Sequence, residues 1–323
     1  LAGEDDEDGA GLLAPGQEAY TVLGELYTEV IVTEGMTATL GRRGIDTPYI
    51  NRNDTRMTPQ TFEYIALQGV VGDVGAPTWK YGFGYFDQIK VKNSDEFVSM
   101  SEQAGAPDGV DEGVYVGGGT YRHGNFTIGA VDYYSDNIIN IFYTESTFSI
   151  ASSETLKWKF AAQYTDQTST GDDLLTGDDF DAASFGVKGE VAVGRALFTV
   201  AWTGTDEGTS MKSPWGGYPG YTSVQVEDFN RTGEDAFMLR AGYAFPAETG
   251  FSVYGLYVDG SRPDDPAQYA KTEYDLNVQW VPPTAWAKGL SLRLRYARVE
   301  QEDPGDTELD DFRFIVNYDP PAL

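Results

Sequence analysis

The residues best suited to chemistry lie close together in one long segment, residues 44–61, with the sequence GIDTPYINRNDTRMTPQT. Two acids, Asp46 and Asp54, share this segment with two bases, Arg52 and Arg56. Such residues can pair with one another, or they can attract and orient a small charged molecule. The alternative interpretation of the same pattern is a surface loop whose charges are solvated.

This segment lies between two strand-like runs, TATLGRR and FEYIALQGVV, and it is too long and too polar for a hairpin turn. Pro48 and Pro59 restrict its backbone, and its Asp and Asn residues suit turns and local capping. We therefore predict a long loop of defined shape between two strands.

The composition indicates strands throughout the chain. The 323 residues include 38 Gly, 21 Tyr, 17 Phe and 6 Trp, but no Cys. Aromatic enrichment with frequent glycine is typical of β-structure, and the lack of cysteine excludes disulfides and thiol catalysis. No run of about 18 apolar residues occurs, which excludes a membrane-spanning helix. No signal peptide is found at Leu1, so we expect a mature or truncated chain.

The formal charge of −29 argues against nucleic-acid binding, which needs a basic surface. Much of the acid falls in predicted loops, where acidic runs are usually solvated. None of these runs has the complete spacing of a calcium-binding loop. We expect no metal site and no cofactor, and loosely bound divalent cations remain an open alternative. The acidic runs are residues 3–9, 105–113, 170–179, 262–268 and 300–311.

Alternation of apolar and polar residues predicts about fifteen strands of roughly 8–13 residues, the first at 19–32 and the last ending at Tyr318. Strands of this length can cross a bilayer at a tilt, and short and long connections largely alternate along the chain. One connection, residues 135–137, is short where a long loop is due. The segment 78–90 is the clearest example, with one aromatic face and one of lysine and glycine: Trp79, Tyr81, Phe83 and Tyr85 against Lys80, Gly82 and Gly84.

A soluble β-sandwich also alternates, so the character of the two faces decides between the classes. The apolar faces here are rich in aromatic residues, with Trp and Tyr towards strand ends, as at membrane interfaces. The polar faces carry Arg, Lys, Glu and Gln in mid-strand, which suits a wet lumen. We predict an all-β fold, a transmembrane antiparallel β-barrel formed as a single domain over residues 1–323, with residues 44–61 folded inward to narrow it.

Three stretches resemble the OprD family of outer-membrane porins: LGRRGIDTPYINRNDTRMTPQTFE (40–63), SPWGGYPGYTSVQVEDFNRTGEDAF (213–237) and the central segment 113–145. The resemblance implies a barrel of roughly 18 strands in the outer membrane of a Gram-negative bacterium. It also implies passive diffusion of small solutes, often carboxylates or amino acids. With about fifteen strands found, we expect further N-terminal strands before Leu1. The C-terminus, DPPAL, departs from the usual pattern because it lacks a terminal aromatic residue.

The resemblance further implies a constriction formed by the inward loop and a ladder of basic side chains facing it. For the constriction we assign Tyr49, Arg52, Asp54 and Arg56, with Tyr49 packing the loop against the wall. Lumen cations lower the electrostatic cost for an entering anion, although such residues can instead merely pair with lumen acids. The ladder candidates all lie on predicted polar faces: Lys157, Lys159, Arg240, Arg293, Arg295 and Arg313.

The expected partners are small solutes, outer-membrane lipid and lipopolysaccharide, with the chain a monomer or trimer. Selectivity is expected to be weak and to favour small carboxylates. An enzyme is the first rival, but a hydrolase needs a Ser–His pair with an orienting acid, and the only histidine is His123 in a tight turn. We therefore predict no catalysis. The second rival is a structural or adhesive barrel with a plugged lumen, in which residues 91–111 and 205–235 serve as partner surfaces.

Overall fold

Sixteen strands and one short helix form the regular elements of the computed structural model, which describes residues 19–56, 58–72, 77–284 and 287–319. In chain order they are β1 (Leu26–Thr33), β2 (Met36–Arg43), β3 (Thr61–Val71), β4 (Thr78–Lys90), β5 (Val98–Ser99), α1 (Met100–Ala104), β6 (Val114–His123), β7 (Phe126–Ser135), β8 (Ile139–Ala151), β9 (Leu156–Thr168), β10 (Asp181–Val193), β11 (Ala196–Thr205), β12 (Asp235–Ala244), β13 (Phe251–Gly260), β14 (Lys271–Trp280), β15 (Leu290–Gln301) and β16 (Thr307–Tyr318).

Every paired strand lies next to its neighbour in sequence, apart from the two-residue β5. The order is β1-β2-β3-β4-β6-β7-β8-β9-β10-β11-β12-β13-β14-β15-β16, and β5 pairs with β4 to one side of this path. Antiparallel neighbours joined by direct connections need no crossover helices. The all-β, antiparallel prediction is confirmed. No helix within the described ranges is both long enough and apolar enough to span a bilayer.

The strands carry their apolar residues on the exposed face and their polar residues on the buried one. Trp79, Phe83 and Phe314 are 55%, 61% and 64% exposed, whereas Gln167 and Glu273 are fully buried. A soluble sandwich would show the opposite arrangement, because apolar side chains there form the core. Contiguous exposed apolar surface of this extent suits contact with lipid. This distribution contradicts the soluble-sandwich alternative.

The chain divides into two compact units. The first unit comprises Leu1–Glu145, Thr165–Asp181 and Lys212–Pro219, and it contains β1 to β7 complete. The second unit comprises Ser146–Tyr164, Ala182–Met211 and Gly220–Leu323, and it contains β11 to β16 complete. The long connection between β11 and β12 therefore contributes residues 212–219 to the first unit, and residues 206–211 and 220–234 to the second.

Most predicted strand boundaries agree with the structure to within a few residues, and the largest error is at the first strand. We predicted it from about Ala19, but β1 begins at Leu26. The hydroxyl of Tyr20 instead lies 2.7 Å from that of Thr58, and the Glu25 carboxylate accepts a 2.8 Å hydrogen bond from the Gly44 amide. Residues 19–25 therefore follow the loop between β2 and β3 rather than a neighbouring strand.

The polar loop predicted at 91–111 contains both β5 and α1. Ser99 caps the helix by accepting a hydrogen bond from the Glu102 amide, and Gly105 ends it with a φ of 100°. Such a conformation is readily available to glycine, which has no Cβ. Five residues are too few to show helical periodicity, so the sequence pattern could not reveal this element.

Candidate functional site

The loop between β2 and β3, residues 44–60, is held to the buried polar face of the first unit through Tyr49. Its ring is fully buried, and its hydroxyl lies 3.2 Å from the Thr165 hydroxyl, to which it donates. Its backbone amide donates to the Tyr133 hydroxyl at 3.2 Å, and that hydroxyl donates to Thr47 at 2.9 Å. Burial raises the pKa of Tyr49, so the phenol stays neutral.

Three further tyrosine rings surround Tyr49. Its ring centroid lies 6.0 Å from that of Tyr133, 6.2 Å from Tyr143 and 6.4 Å from Tyr218. All three pairs are edge-to-face, a favourable arrangement because the positive ring edge meets the negative face. The cluster therefore joins the loop to β7, β8 and the connection after β11 through apolar contact.

Amide side chains complete the attachment of this loop. Asn51 donates to the Gly217 carbonyl at 3.1 Å and accepts from the Gly217 amide at 2.9 Å. Gln60 donates to the Trp215 carbonyl at 3.3 Å, and the buried Trp215 indole donates to the Met100 carbonyl at 2.9 Å. Each bond joins a side chain to a backbone group more than 100 positions away in the sequence.

The charged residues of the loop remain near solvent. Arg52 pairs with Asp46 through its Nε at 2.9 Å, and its backbone amide donates to the same carboxylate at 3.1 Å. The hydrogen bond from Arg52 lowers the pKa of Asp46, and Asp46 in turn raises the pKa of Arg52. Asp54 is exposed, and Arg56 donates to the Thr55 carbonyl at 3.0 Å. The predicted constriction residues thus lie on one loop, where Arg52 contacts Asp46 rather than Asp54.

Four of the six predicted ladder residues lie on the polar face of β12 to β16 in the second unit. The Arg240 guanidinium lies 3.9 Å from the centroid of the Tyr254 ring, over its face. Arg293 donates to the Tyr254 hydroxyl at 3.3 Å and also to the Asn277 side-chain oxygen. Tyr254 therefore joins two arginines from different strands, and both contacts are with neutral groups.

Arg295 and Arg313 lie directly opposite each other on β15 and β16. Arg313 donates to the Asp311 carboxylate at 2.9 Å and 3.0 Å, and to the Gln225 carbonyl at 3.3 Å. In the described part of the chain, the Nε of Arg295 is buried with no hydrogen-bond acceptor. The two cations thus differ, because Arg313 forms a direct ion pair with Asp311, whereas Arg295 interacts with Asp275 without forming one.

The remaining predicted ladder residues, Lys157 and Lys159, are exposed on β9. They alternate with Trp158 and Phe160, which lie on the opposite face, as the period-two pattern predicted. Their ammonium groups are not brought together with the arginine group of β12 to β16 by any contact among the described residues.

Sequence reasoning did not foresee that residues 220–234 also fold back onto the strands of their own unit. The Glu273 carboxylate accepts hydrogen bonds from the Val226 and Glu227 amides, at 2.9 Å and 2.8 Å. Lys271 pairs with Glu227 at 2.7 Å. Phe229 packs with apolar side chains of β11, β12 and β13: Ala201, Ala236, Met238 and Val258. The signal that could have revealed this was composition, because residues 220–234 include Tyr221, Val224 and Phe229, and a solvated loop seldom has several large apolar side chains.

The comparisons with known proteins agree with this geometry. A profile of the OprD family, described as outer membrane porin, matches residues 33–321. No curated protein sequence gave a significant match. Among solved structures, Pseudomonas aeruginosa OccK9 (OpdG) is similar with a TM-score of 0.77 and 20% identity, over 88% of this chain and 73% of that one.

Two other structures from Pseudomonas aeruginosa show the same likeness. OccK8 (OprE) has a TM-score of 0.76 and 20% identity, over 88% of this chain and 77% of that one. OpdK solved with vanillate has a TM-score of 0.74 and 16% identity, over 88% and 75%. These likenesses confirm the predicted fold class, and the family match confirms the predicted outer-membrane location. On the sequence match over residues 33–321, the chain belongs to the OprD family of outer membrane porins.

Proposed function

We propose that small carboxylates and amino acids are the solutes that this porin passes by passive diffusion. The observation that carries the proposal is a group of arginines that form no direct ion pair. Arg240, Arg293 and Arg295 form no ion pair with any carboxylate in the described part of the chain, although Arg313 beside them does. Guanidinium groups that are not held in direct ion pairs lower the cost of bringing an anion to this face.

The charge of −29 does not oppose this preference. Screening at physiological ionic strength confines exposed charges to a range of about 8–10 Å. Acidic loop residues beyond that distance contribute little to the potential at the arginines. Local charge therefore sets the selectivity of this face.

Amino acids are favoured by a second feature of the same face. Buried polar atoms without partners include two acceptors, Gln225 Oε1 and Asp275 Oδ1, and one donor, Arg295 Nε. Asp275 lies beside both other residues. A zwitterion carries a carboxylate for the arginine and an ammonium group for the two acceptors, so it can satisfy both kinds of atom.

The similar OpdK structure contains vanillate, an aromatic carboxylate. That likeness supports a carboxylate preference in this chain. The exposed apolar faces likewise support contact with outer-membrane lipid, and we extend the proposal to lipopolysaccharide.

We also propose that residues 44–60 narrow the passage. Tyr49 fixes the loop, and the loop presents Arg52, Asp54 and Arg56 to solvent. This role is supported by the double-sided Asn51 contact with Gly217, which leaves the loop little freedom. In the ladder we include Lys157 and Lys159 as more weakly acting cations, because both are exposed and so better screened.

The test is ion selectivity in planar bilayers, measured as the reversal potential in a salt gradient. We expect the wild-type channel to prefer anions, and R293Q/R295Q to lose that preference because the local potential falls. R262Q removes an exposed loop arginine and serves as a control that leaves selectivity unchanged. Clear cation preference in the wild type would reject the selectivity, and a protein that does not conduct would reject the channel.

Uptake into proteoliposomes separates amino acids from simple carboxylates. We compare alanine with propionate, which lacks only the ammonium group. D275N is expected to slow alanine several-fold and to leave propionate unchanged or faster. Equal slowing of both solutes would remove the amino-acid part of the proposal.

A further inference from the structure

A pocket of about 330 Å³ lies within the first unit, and none of the proposed constriction residues lines it. Three segments form its walls: the end of α1, the connection between β9 and β10, and the connection after β11. Its volume lies at the lower end of the range for small-molecule sites. The lining residues are Ala104, Leu175, Lys212, Ser213 and Pro214.

Lys212 is the charged member of this set. Its ammonium group lies 5.2 Å from the centroid of the Phe180 ring, and no carboxylate in the described part of the chain pairs with it. Burial lowers the pKa of Lys212, and no neighbouring acid offsets the effect. A half-buried cation without a counter-charge favours an anionic ligand.

A second lysine of the first unit, Lys90, shows how the protein can supply hydrogen-bond acceptors to a buried ammonium group. Lys90 is almost fully buried, and its ammonium donates to Thr58 Oγ1, the Pro59 carbonyl and the Val91 carbonyl, at 3.1, 2.9 and 3.0 Å. All three of its donor positions are therefore used. Among the described residues the Lys212 ammonium has no such set of acceptors, so hydrogen bonding within the protein does not explain its burial.

The other lining residues indicate which further chemical groups a ligand of this pocket would carry. The Ser213 hydroxyl is buried with no hydrogen-bond partner among the described residues. Leu175, Pro214 and Ala104 add an apolar surface around the two polar groups. One ammonium and one hydroxyl next to apolar walls match a single carboxylate on a compact hydrocarbon body.

The walls are fixed before any ligand arrives. Gln167 accepts from the Lys212 amide and donates to the Lys212 carbonyl, both at 2.8 Å. The Leu174 amide donates to the Asn137 carbonyl at 2.8 Å, and this bond holds the neighbouring wall. A site built in advance loses little entropy when it is filled.

We propose that this pocket binds a small apolar monocarboxylate, held through its carboxylate by Lys212 and Ser213 and through its hydrocarbon body by Leu175 and Pro214. The site lies at residues other than the arginines that carry the proposed selectivity. It extends the proposed function by adding a separate place where solute is retained.

The test reads Lys212 directly, by acylation of lysines in the purified protein followed by peptide mass spectrometry. Benzoate is the probe, and exposed Lys288 is the reference within each digest. We expect benzoate to slow acylation of Lys212 at least fivefold, relative to Lys288. In S213A the benzoate concentration needed for half-maximal protection should rise about tenfold. The exposed-serine control S152A should leave that concentration unchanged.

Three other additives define the chemistry. Benzyl alcohol lacks the charge, acetate lacks the apolar body, and inorganic phosphate is a general anion. Each is expected to protect Lys212 much less than benzoate does. Protection equal to that of benzoate from any of the three, or no protection by benzoate, would overturn the proposal. Acylation needs no conduction, so a failed channel assay and a failed pocket give different results.

Discussion

Two loops return to the polar faces of their own units, and different chemistry holds each of them. Residues 44–60 are attached in the first unit by tyrosine rings and by amide side chains that bond to backbone groups. Residues 220–234 are attached in the second unit by the packing of Phe229 and by acidic and basic side chains, with Glu273 accepting from two backbone amides and Lys271 pairing with Glu227.

This difference indicates which of the two attachments should change with salt concentration and pH. Ring packing and neutral hydrogen bonds respond weakly to salt and to pH, because no ionised group has to change. Carboxylate and ammonium attachments depend on charge and are therefore open to screening and protonation. The first loop is expected to be a constant feature of the protein, and the second an adjustable one.

Among the changes considered, replacing Tyr49 with alanine should have the largest effect, because it weakens the attachment of residues 44–60. Removing a buried aromatic ring typically costs about 3–5 kcal/mol, and three neighbouring rings lose their contact here. We expect rapid hydrogen exchange over residues 44–60 and larger fluctuations in channel current. Y49F keeps the ring and loses only the bond to Thr165, so it should cost about 1 kcal/mol. Equal effects of the two variants would show that packing does not hold the loop.

Replacing Glu273 with glutamine should release the second loop. The amide oxygen can still accept one of the two backbone bonds, but its NH₂ group meets the other donor, at a cost of about 1–3 kcal/mol. Faster proteolysis within residues 220–234 is the expected result, with residues 44–60 unaffected. E300Q, at an exposed acid, is the control. Unchanged proteolysis in E273Q would remove the distinction between the loops.

High salt should also loosen the attachment of residues 220–234, but less than E273Q does. Lys271 and Glu227 are partly exposed, so we expect K271Q to weaken the attachment by about 0.5–1 kcal/mol. Raising the salt from about 0.1 to 1 M should increase exchange over residues 220–234 in the wild type and much less in K271Q. A similar salt response over residues 44–60 would contradict the comparison.

Acid should affect the first loop only slightly, through Asp46. Its folded pKa lies below the ordinary 3.8, so the pair with Arg52 stabilises the protein above that value. The contribution is lost as the pH falls through the depressed pKa. Because both side chains are about half exposed, we expect about 0.5 kcal/mol or less. D46N should therefore match the wild type once the pH is below the depressed pKa of Asp46 and differ slightly at neutral pH, as measured by urea unfolding.

Strand positions could be predicted from the sequence because alternation is a local property. The predicted bounds of β4 agree with the structure at both ends. The last predicted strand ends at Tyr318, as β16 does, but the start of β16 at Thr307 is harder to predict because the sequence TELDD shows little apolar alternation. Residues 19–25 were misjudged for the opposite reason, since their strand-like pattern is overridden by contacts with a distant loop.

The candidate site was only partly accessible to the same reasoning. The alternation of apolar and polar residues alone was enough to place Arg293, Arg295 and Arg313 on polar strand faces. Which of them is neutralised could not be read, because the Asp311 pair and the Tyr254 bridge depend on rotamers and register. The anchoring of residues 226 and 227 by Glu273 was likewise hidden, since the partners are more than forty positions apart.

The bond pair between Asn51 and Gly217 also bears on the order of folding, because it joins positions 166 apart in the sequence. Contacts of such long range form late, since the intervening chain must first lose its freedom. The β2–β3 loop therefore cannot reach its final place until most of the strands that follow it have assembled. If this loop narrows the passage as we propose, a folding intermediate with assembled strands should have a wider passage than the mature protein.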